Sequence, residues 1–146
     1  MVFRGTFDHT LDAKNRLTVP AKYRSALADG VVLAMTVDQQ PCVGMWRPDD
    51  YERYTERALA ELPPLSPQLN ELERFFYGSS QDVDLDAAGR IMVPGFLATH
   101  ASLQKDLAVV GTGDRLEIWD RTRWQEHRPA LLGGVAEISA RVGHPD

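Results

Sequence analysis

The sequence predicts an α+β fold, mainly a β barrel with pseudo-twofold symmetry and peripheral helices. Three observations carry that expectation. First, Leu11-Asp12-Ala13-Lys14-Asn15-Arg16-Leu17-Thr18-Val19-Pro20 recurs 74 positions later as Leu85-Asp86-Ala87-Ala88-Gly89-Arg90-Ile91-Met92-Val93-Pro94. Second, the surroundings repeat as well: Trp119 answers Trp46 and Trp124 answers Tyr51, both at an offset of 73. Third, 146 residues make one ordinary domain or two small units sharing a core. Two separate cores of about 45 residues would each need staples. The lone Cys42 excludes both an intrachain disulfide framework and a CxxC metal site. The expected solution is one intertwined barrel, each repeat supplying half.

Taken in order, the chain reads β–turn–β–α–β–β and then helix, twice. Phe3 to Asp8 alternates as a short strand. A turn at Asp12 to Asn15 leads to a second strand, Arg16 to Val19. Pro20 opens a helix over Ala21 to Ala28, because a missing N–H is harmless at that position. Asp29-Gly30 stops it. Val31 to Thr36 and Cys42 to Trp46 are apolar strands around a turn at Asp38 to Pro41. Pro48-Asp49-Asp50 starts a helix, with acidic groups at the positive end of its dipole. Leu62-Pro63-Pro64 ends it. Ser66-Pro67 caps a second helix, Gln68 to Tyr77.

The second unit gives strands at Asp82 to Leu85 and Ile91 to Val93, and a short helix from Pro94 to Leu103. Apolar strands follow at Leu107 to Gly111 and Leu116 to Trp119. Asp120 is placed to N-cap the helix carrying Trp124. Pro129 is expected to end that helix and Gly133-Gly134 to break the chain. Val135 to Val142 then supplies a final turn or two, and Gly143 to Asp146 a loose tail. The resulting division is 1–47, first repeat; 48–77, helical pair; 78–121, second repeat; 122–146, C-terminal helical segment and tail.

Charge separates the repeats. The whole chain carries −5, which as an average argues against nucleic acid. Residues 1–36, however, carry five Lys and Arg against three Asp, whereas residues 78–112 carry two against four. The matched turns concentrate the contrast, because Lys14 stands where the second copy has Ala88. In each turn the leading Asp can accept backbone N–H groups. Asn15 and Gly89 are the residue types that best tolerate positive φ. Arg16 and Arg90 then emerge close enough to pair with Asp12 and Asp86. The second turn, with Asp86, Gly89 and Arg90, reads as a well-made corner. The first, with Lys14 and Arg16, carries a second cation at its tip, with Asp12 placed to hold it in shape.

The run from Asp12 to Arg24 resembles the N-terminal signature of the MraZ family, whose members carry tandem AbrB-like, swapped-hairpin repeats. Phe3-Arg4-Gly5, His9-Thr10-Leu11-Asp12, Gly89-Arg90-Ile91 with Val93-Pro94, and Gly113 to Asp120 fit it too, so the resemblance spans roughly residues 1–125. It implies a DNA-binding transcriptional regulator that assembles as a ring on the promoter of the division and cell-wall gene cluster, including its own gene. The family's Asp-x-x-x-Arg motif falls on Asp12 and Arg16, and on Asp86 and Arg90. This chain has Lys14-Asn15-Arg16 where the family usually has Lys-Gly-Arg. Asn can hold the same turn and can also contact DNA. Expected DNA contacts are therefore Lys14, Asn15, Arg16 and Arg4, with double-stranded promoter DNA and further copies of the chain as partners. The acidic helices of 48–77 are expected to face elsewhere.

The remaining residues offer no chemistry. His9, His100, His127 and His144 show no ligand spacing. Ser25, Ser79, Ser80 and Cys42 lack a nucleophile pattern. Gly111-Thr112-Gly113 lies between strands rather than before a helix. The three Trp, with Tyr51, Phe75 and Phe76, read as core or subunit contacts. No enzyme activity, cofactor or metal is expected. No apolar run approaches the roughly 20 residues of a membrane span, and no signal peptide is evident. The expectation is a reduced, cytoplasmic, nucleoid-associated protein. A protein–protein interaction or antitoxin-like module on the same fold is the alternative.

Overall fold

The computed structural model describes residues 2–143. His144 and all but the first residue of the expected loose tail lie outside them. The strands are β1 (Thr6–Thr10), β2 (Arg16–Thr18), β3 (Val31–Met35), β4 (Val43–Trp46), β5 (Ser80–Val83), β6 (Arg90–Met92), β7 (Asp106–Gly111) and β8 (Leu116–Asp120). The helices are α1 (Pro48–Leu59), α2 (Pro67–Gly78), α3 (Gly95–His100) and α4 (Arg121–Gly143), with a 3-10 turn at Ala21–Tyr23.

All strand pairs are antiparallel. Six strands form one sheet in the order β1-β7-β8-β4-β3-β5, and β2 with β6 forms a separate two-stranded ribbon. Exchanging each strand for its counterpart in the other repeat returns the same order read backwards. Pairs β1–β7, β3–β5, β4–β8 and β2–β6 each join one repeat to the other. The halves are thus interleaved, as the duplication implies.

The expected closed barrel is corrected. Pairing runs linearly from β1 to β5, and the ribbon lies over one face rather than closing the edges. Its strands are three residues each, too short to bridge both free edges, and one isolated bridge, Leu11↔Leu17, ties it to the end of β1. The core fills the space between sheet and ribbon. Leu17, Val19, Ile91 and Val93 from the ribbon side meet Leu33, Met45, Val109 and Ile118 from the sheet. The alternate residues of the same strands face the other way. There Val32, Ala34 and Trp46 pack on Tyr51 of α1, and Ala108, Val110 and Trp119 pack against Trp124 of α4.

Other boundaries differ for identifiable reasons. β1 begins at Thr6 because Gly5 adopts φ 92°, leaving Phe3 as an isolated bridge to Gly113. β5 begins at Ser80, where pairing with Ala34 starts, and stops before Leu85. The helix expected over Ala21 to Ala28 is 3-10 only to Tyr23 and then a series of turns. Its bonds run mainly i to i+3, among them Tyr23 N–H to Pro20 O at 2.8 Å and Gly30 N–H to Leu27 O at 3.2 Å. α3 ends at His100, and Ser102 beyond it takes φ 52°. Two capping expectations agree with the structure: Ser66 Oγ accepts Leu69 N–H at 3.1 Å and Asp120 Oδ2 accepts Arg123 N–H at 3.2 Å.

The largest departure is α4, which neither ends at Pro129 nor breaks at Gly133-Gly134 but runs 23 residues from Arg121. Proline removes one bond, to the carbonyl four residues back. That carbonyl belongs to Gln125, an exposed residue, so water can satisfy it.

Tyr23 locks the N-terminus onto this frame. Its ring packs edge-on against Phe3 and Phe7. Its Oη accepts Arg4 N–H at 2.9 Å and donates to Arg4 O at 2.7 Å. Tyr23→Phe keeps the packing and leaves both Arg4 groups short of a partner. It should lower stability in urea unfolding by about 1–3 kcal/mol.

Candidate nucleic-acid interface

The two turns have the same internal wiring. Asp12 Oδ1 accepts Lys14 N–H at 2.9 Å and Arg16 N–H at 2.8 Å, and its Oδ2 accepts Arg16 Nε–H at 2.8 Å. Asp86 repeats this, with Ala88 N–H and Arg90 N–H at 2.9 Å and Arg90 Nε–H at 2.8 Å. The residue before each Arg is left-handed, Asn15 at φ 59° and Gly89 at φ 75°. Both carboxyls are held below their ordinary value chiefly by the backbone N–H of the Arg four residues on; burial opposes this, and the Arg guanidinium and the backbone N–H of Lys14 or Ala88 add to the lowering. A carboxylate therefore organises each turn and engages each Arg through its Nε.

The turns stand at opposite ends of the ribbon. Val93 N–H bonds to Asn15 O at 2.8 Å and Val19 N–H bonds to Gly89 O at 2.9 Å, so each turn is braced by the Val-Pro step of the other repeat. Between them Leu17 and Ile91 point into the core. Alternation along the two strands then puts Arg16, Thr18, Arg90 and Met92 on the outer face, with Arg16 opposite Met92 and Thr18 opposite Arg90. Met92, the last residue of β6, is 55% exposed.

The expected site residues are only partly brought together. Lys14, Asn15 and Arg16 share the first turn, and Lys14 and Asn15 are exposed. Arg4 stands apart: it precedes β1, whereas the turn follows it, and the five residues of β1 separate them by roughly 17 Å. Lys105 was missed. Its carbonyl accepts Leu11 N–H at 2.8 Å, and it lines a shallow cleft beside the turn with Asp12, Asn15 and Gln104. Nothing in the spacing of 12 and 105 signals that proximity; the pairing of β1 with β7 creates it.

Asn stands in one turn and Gly in the other for a tertiary reason. A Cβ on Gly89 would lie 2.6 Å from Arg24 Nε and 2.7 Å from its Cδ. The residue corresponding to Arg24 in the second repeat is Ala98, which leaves room for a side chain at Asn15.

Away from the ribbon, Cys42 is buried and its thiol is pushed up to about 12 by that burial, so it is a poor nucleophile. Among the described residues no group of three or more His, Cys, Asp or Glu could hold a metal ion, and no helix is long and apolar enough to cross a membrane. All three Trp are packed: Trp46 against Tyr51 and Tyr54, and Trp119 against Trp124 and His127.

Two tests follow from the turn geometry. Asn15→Gly should leave stability within a few tenths of a kcal/mol. Gly89→Asn should cost about 1 kcal/mol, because Arg24 must give up a hydrogen bond to make room; thermal unfolding compares the two. Because Asp12 and Asp86 are depressed in the folded state, their stabilisation is present above the ordinary value of 3.8 and lost as pH falls through the folded value. In an NMR titration below pH 4, the amides of Lys14, Arg16, Ala88 and Arg90 should shift at lower pH than a free aspartate titrates.

The family model described as "MraZ protein, putative antitoxin-like" matches residues 2–73 and 76–129. The transcriptional regulator MraZ of Hydrogenovibrio crunogenus is 33% identical over 144 residues, covering 95% of this chain and 94% of its own. That of Alkalilimnicola ehrlichii is 38% identical over 134 residues, 90% of this chain and 89% of its own. That of Ligilactobacillus salivarius is 39% identical over 124 residues, 85% of each. The matches extend across both turns, the ribbon and most of the sheet, and on that evidence the chain belongs to the MraZ family.

Proposed function

We propose that this chain is a transcriptional regulator that binds double-stranded promoter DNA sequence-specifically through the first turn of the ribbon. The relatives' shared name supports regulation. The observation that carries the DNA reading is the cationic edge of the first turn, where Lys14 has no acid partner among the described residues and Arg16 is held by Asp12. Arg16's terminal nitrogens, which form no hydrogen bond among the described residues, suit a guanine edge or a phosphate, and Lys14 suits a phosphate. Asn15 adds an amide at the tip. Asp12 is the turn's scaffold, as Asp86 and Gly89 are of the second turn. Arg90 is structural in this reading, and Arg4 contributes at most to the general field.

One turn makes few contacts, so affinity depends on repetition. The protein acts as a ring-shaped homo-oligomer presenting several turns to spaced repeats, which raises effective concentration without new contacts. α4 supports self-association. Leu131, Val135, Ile138 and Val142 are 40–76% exposed on it. Their 4-3-4 spacing is that of a coiled-coil seam, which a like helix complements. The fold class is the tandem AbrB-like swapped hairpin, and the target is the division and cell-wall promoter that includes the protein's own gene, placing it at the nucleoid.

Lys14→Ala with Arg16→Ala should abolish retention of a duplex from upstream of the coding sequence while circular dichroism stays unchanged. Unchanged retention would refute the assignment. In the intact protein, log K should fall by about 0.9 per phosphate contact for each unit of log salt. Ile138→Glu should yield smaller species in sedimentation and weaker DNA binding. The family description also favours a second reading, an antitoxin-like partner binder. In that case a protein ligand would bind with little salt dependence and the double Ala variant would be indifferent.

A further inference from the structure

The geometry points to Arg24 as a second DNA-contact cation, delivered by the first repeat to the turn of the second. This rests on the DNA-binding reading above and extends it to the turn that sequence leaves uncharged. Arg24 follows the 3-10 turn, and its Nε–H donates to Val19 O at 3.1 Å. Its side chain therefore lies across Gly89, with Nε, Cδ and Cζ all within 3.0 Å of the position a Cβ would occupy there. Gly89 is thus the floor on which the Arg24 side chain rests.

The partners of this guanidinium are the second observation. Arg24 forms no ion pair among the described residues, and its two terminal nitrogens have no hydrogen-bond partner there, although the residue is half-buried. Arg90, by contrast, is paired with Asp86 at 2.8 Å. The first turn has the same composition: Arg16 paired with Asp12 at 2.8 Å, and the unpaired Lys14. Each turn therefore carries one Asp-bound Arg and one unpaired cation. In the first turn that cation is at the tip; in the second it crosses from the other repeat, where the matching position is Ala98.

The two turns are spaced to act together. Asn15 marks one and Val19, bonded to Gly89, marks the other, so the ribbon between them spans about 13 Å at the rise of an extended strand. That is close to the roughly 12 Å width of the B-DNA major groove. Cations at both ends of a two-stranded ribbon can hold phosphates on either side of the groove while Arg16, Thr18, Arg90 and Met92 face it. β ribbons read DNA in this way.

The test uses the full-length protein and a duplex from upstream of its coding sequence, at several salt concentrations. Arg24→Gln keeps a side-chain N–H for Val19 O and removes the charge; Arg24→Lys keeps the charge. Arg24→Gln should weaken binding at least tenfold and flatten the salt slope by about 0.9 per lost phosphate contact, with an unchanged melting temperature. Arg24→Lys should stay within about threefold of wild type. Wild-type affinity and slope in Arg24→Gln would overturn the inference. So would equal weakening of both variants with a lowered melting temperature, which marks a purely structural Arg. If the unaltered protein fails to bind the duplex even at low salt, the DNA-binding reading itself fails, an outcome distinct from failure of Arg24 alone.

Discussion

The cross-bracing of the ribbon is the constraint on which the rest depends. Val19 N–H reaches Gly89 O and Val93 N–H reaches Asn15 O, so neither turn is held by its own repeat alone. A single repeat would leave these groups unpaired and the inner face of its strand, Leu17 or Ile91, without its opposite. Interleaving is therefore the means by which two units of this size share one core. The same exchange runs through the main sheet, where β4 pairs with β8 and the two outer strands each pair with a strand of the other repeat.

Symmetry of backbone does not enforce symmetry of side chains, and the departures are instructive. Trp119 donates its indole N–H to Glu117 Oε1 at 3.1 Å. Its counterpart Trp46 lies over Gly44, where a Cβ would fall 2.2 Å from the ring, and its Nε1 has no hydrogen-bond partner among the described residues. Arg115 compensates on that side: it stacks 5.5 Å from the Trp46 ring and bonds to Glu117 and Asp114. Similarly, Arg24 occupies space over Gly89 that Ala98 leaves open over Asn15. Each half has been refitted to its neighbour, so residues that look divergent in the alignment of repeats are complementary in space.

Charge follows the same logic. The negative net charge is carried in good part by the helical stretch 48–77, and α1 and α2 pack with Trp46 and Tyr51 on the sheet face opposite the ribbon. The layer order thus separates acidic helices from the cationic edge by the thickness of the sheet, roughly 10 Å on each side. An acidic average and a basic working face coexist because the hydrophobic pattern assigns them to different layers.

The sequence by itself determined the duplication, the alternation of strands and helices, and the local chemistry of the turns. An Asp four residues before an Arg, with Asn or Gly between, specifies its own hydrogen bonds because all the partners lie within five residues. The family membership was legible for the same reason, since it rests on short ordered motifs. Only the tertiary structure decided what lies beside those motifs. The open sheet in place of a closed barrel depends on which strands pair, with β2 and β6 too short to bridge the free edges, and pattern alone does not give that. The uninterrupted α4 depends on solvent reaching one exposed carbonyl. The neighbour of the second turn was not legible because Arg24 is 65 positions from Gly89 in the chain and packed against it in the fold. Local bonding is written in spacing; which cation meets which turn is set by how two interleaved halves pack.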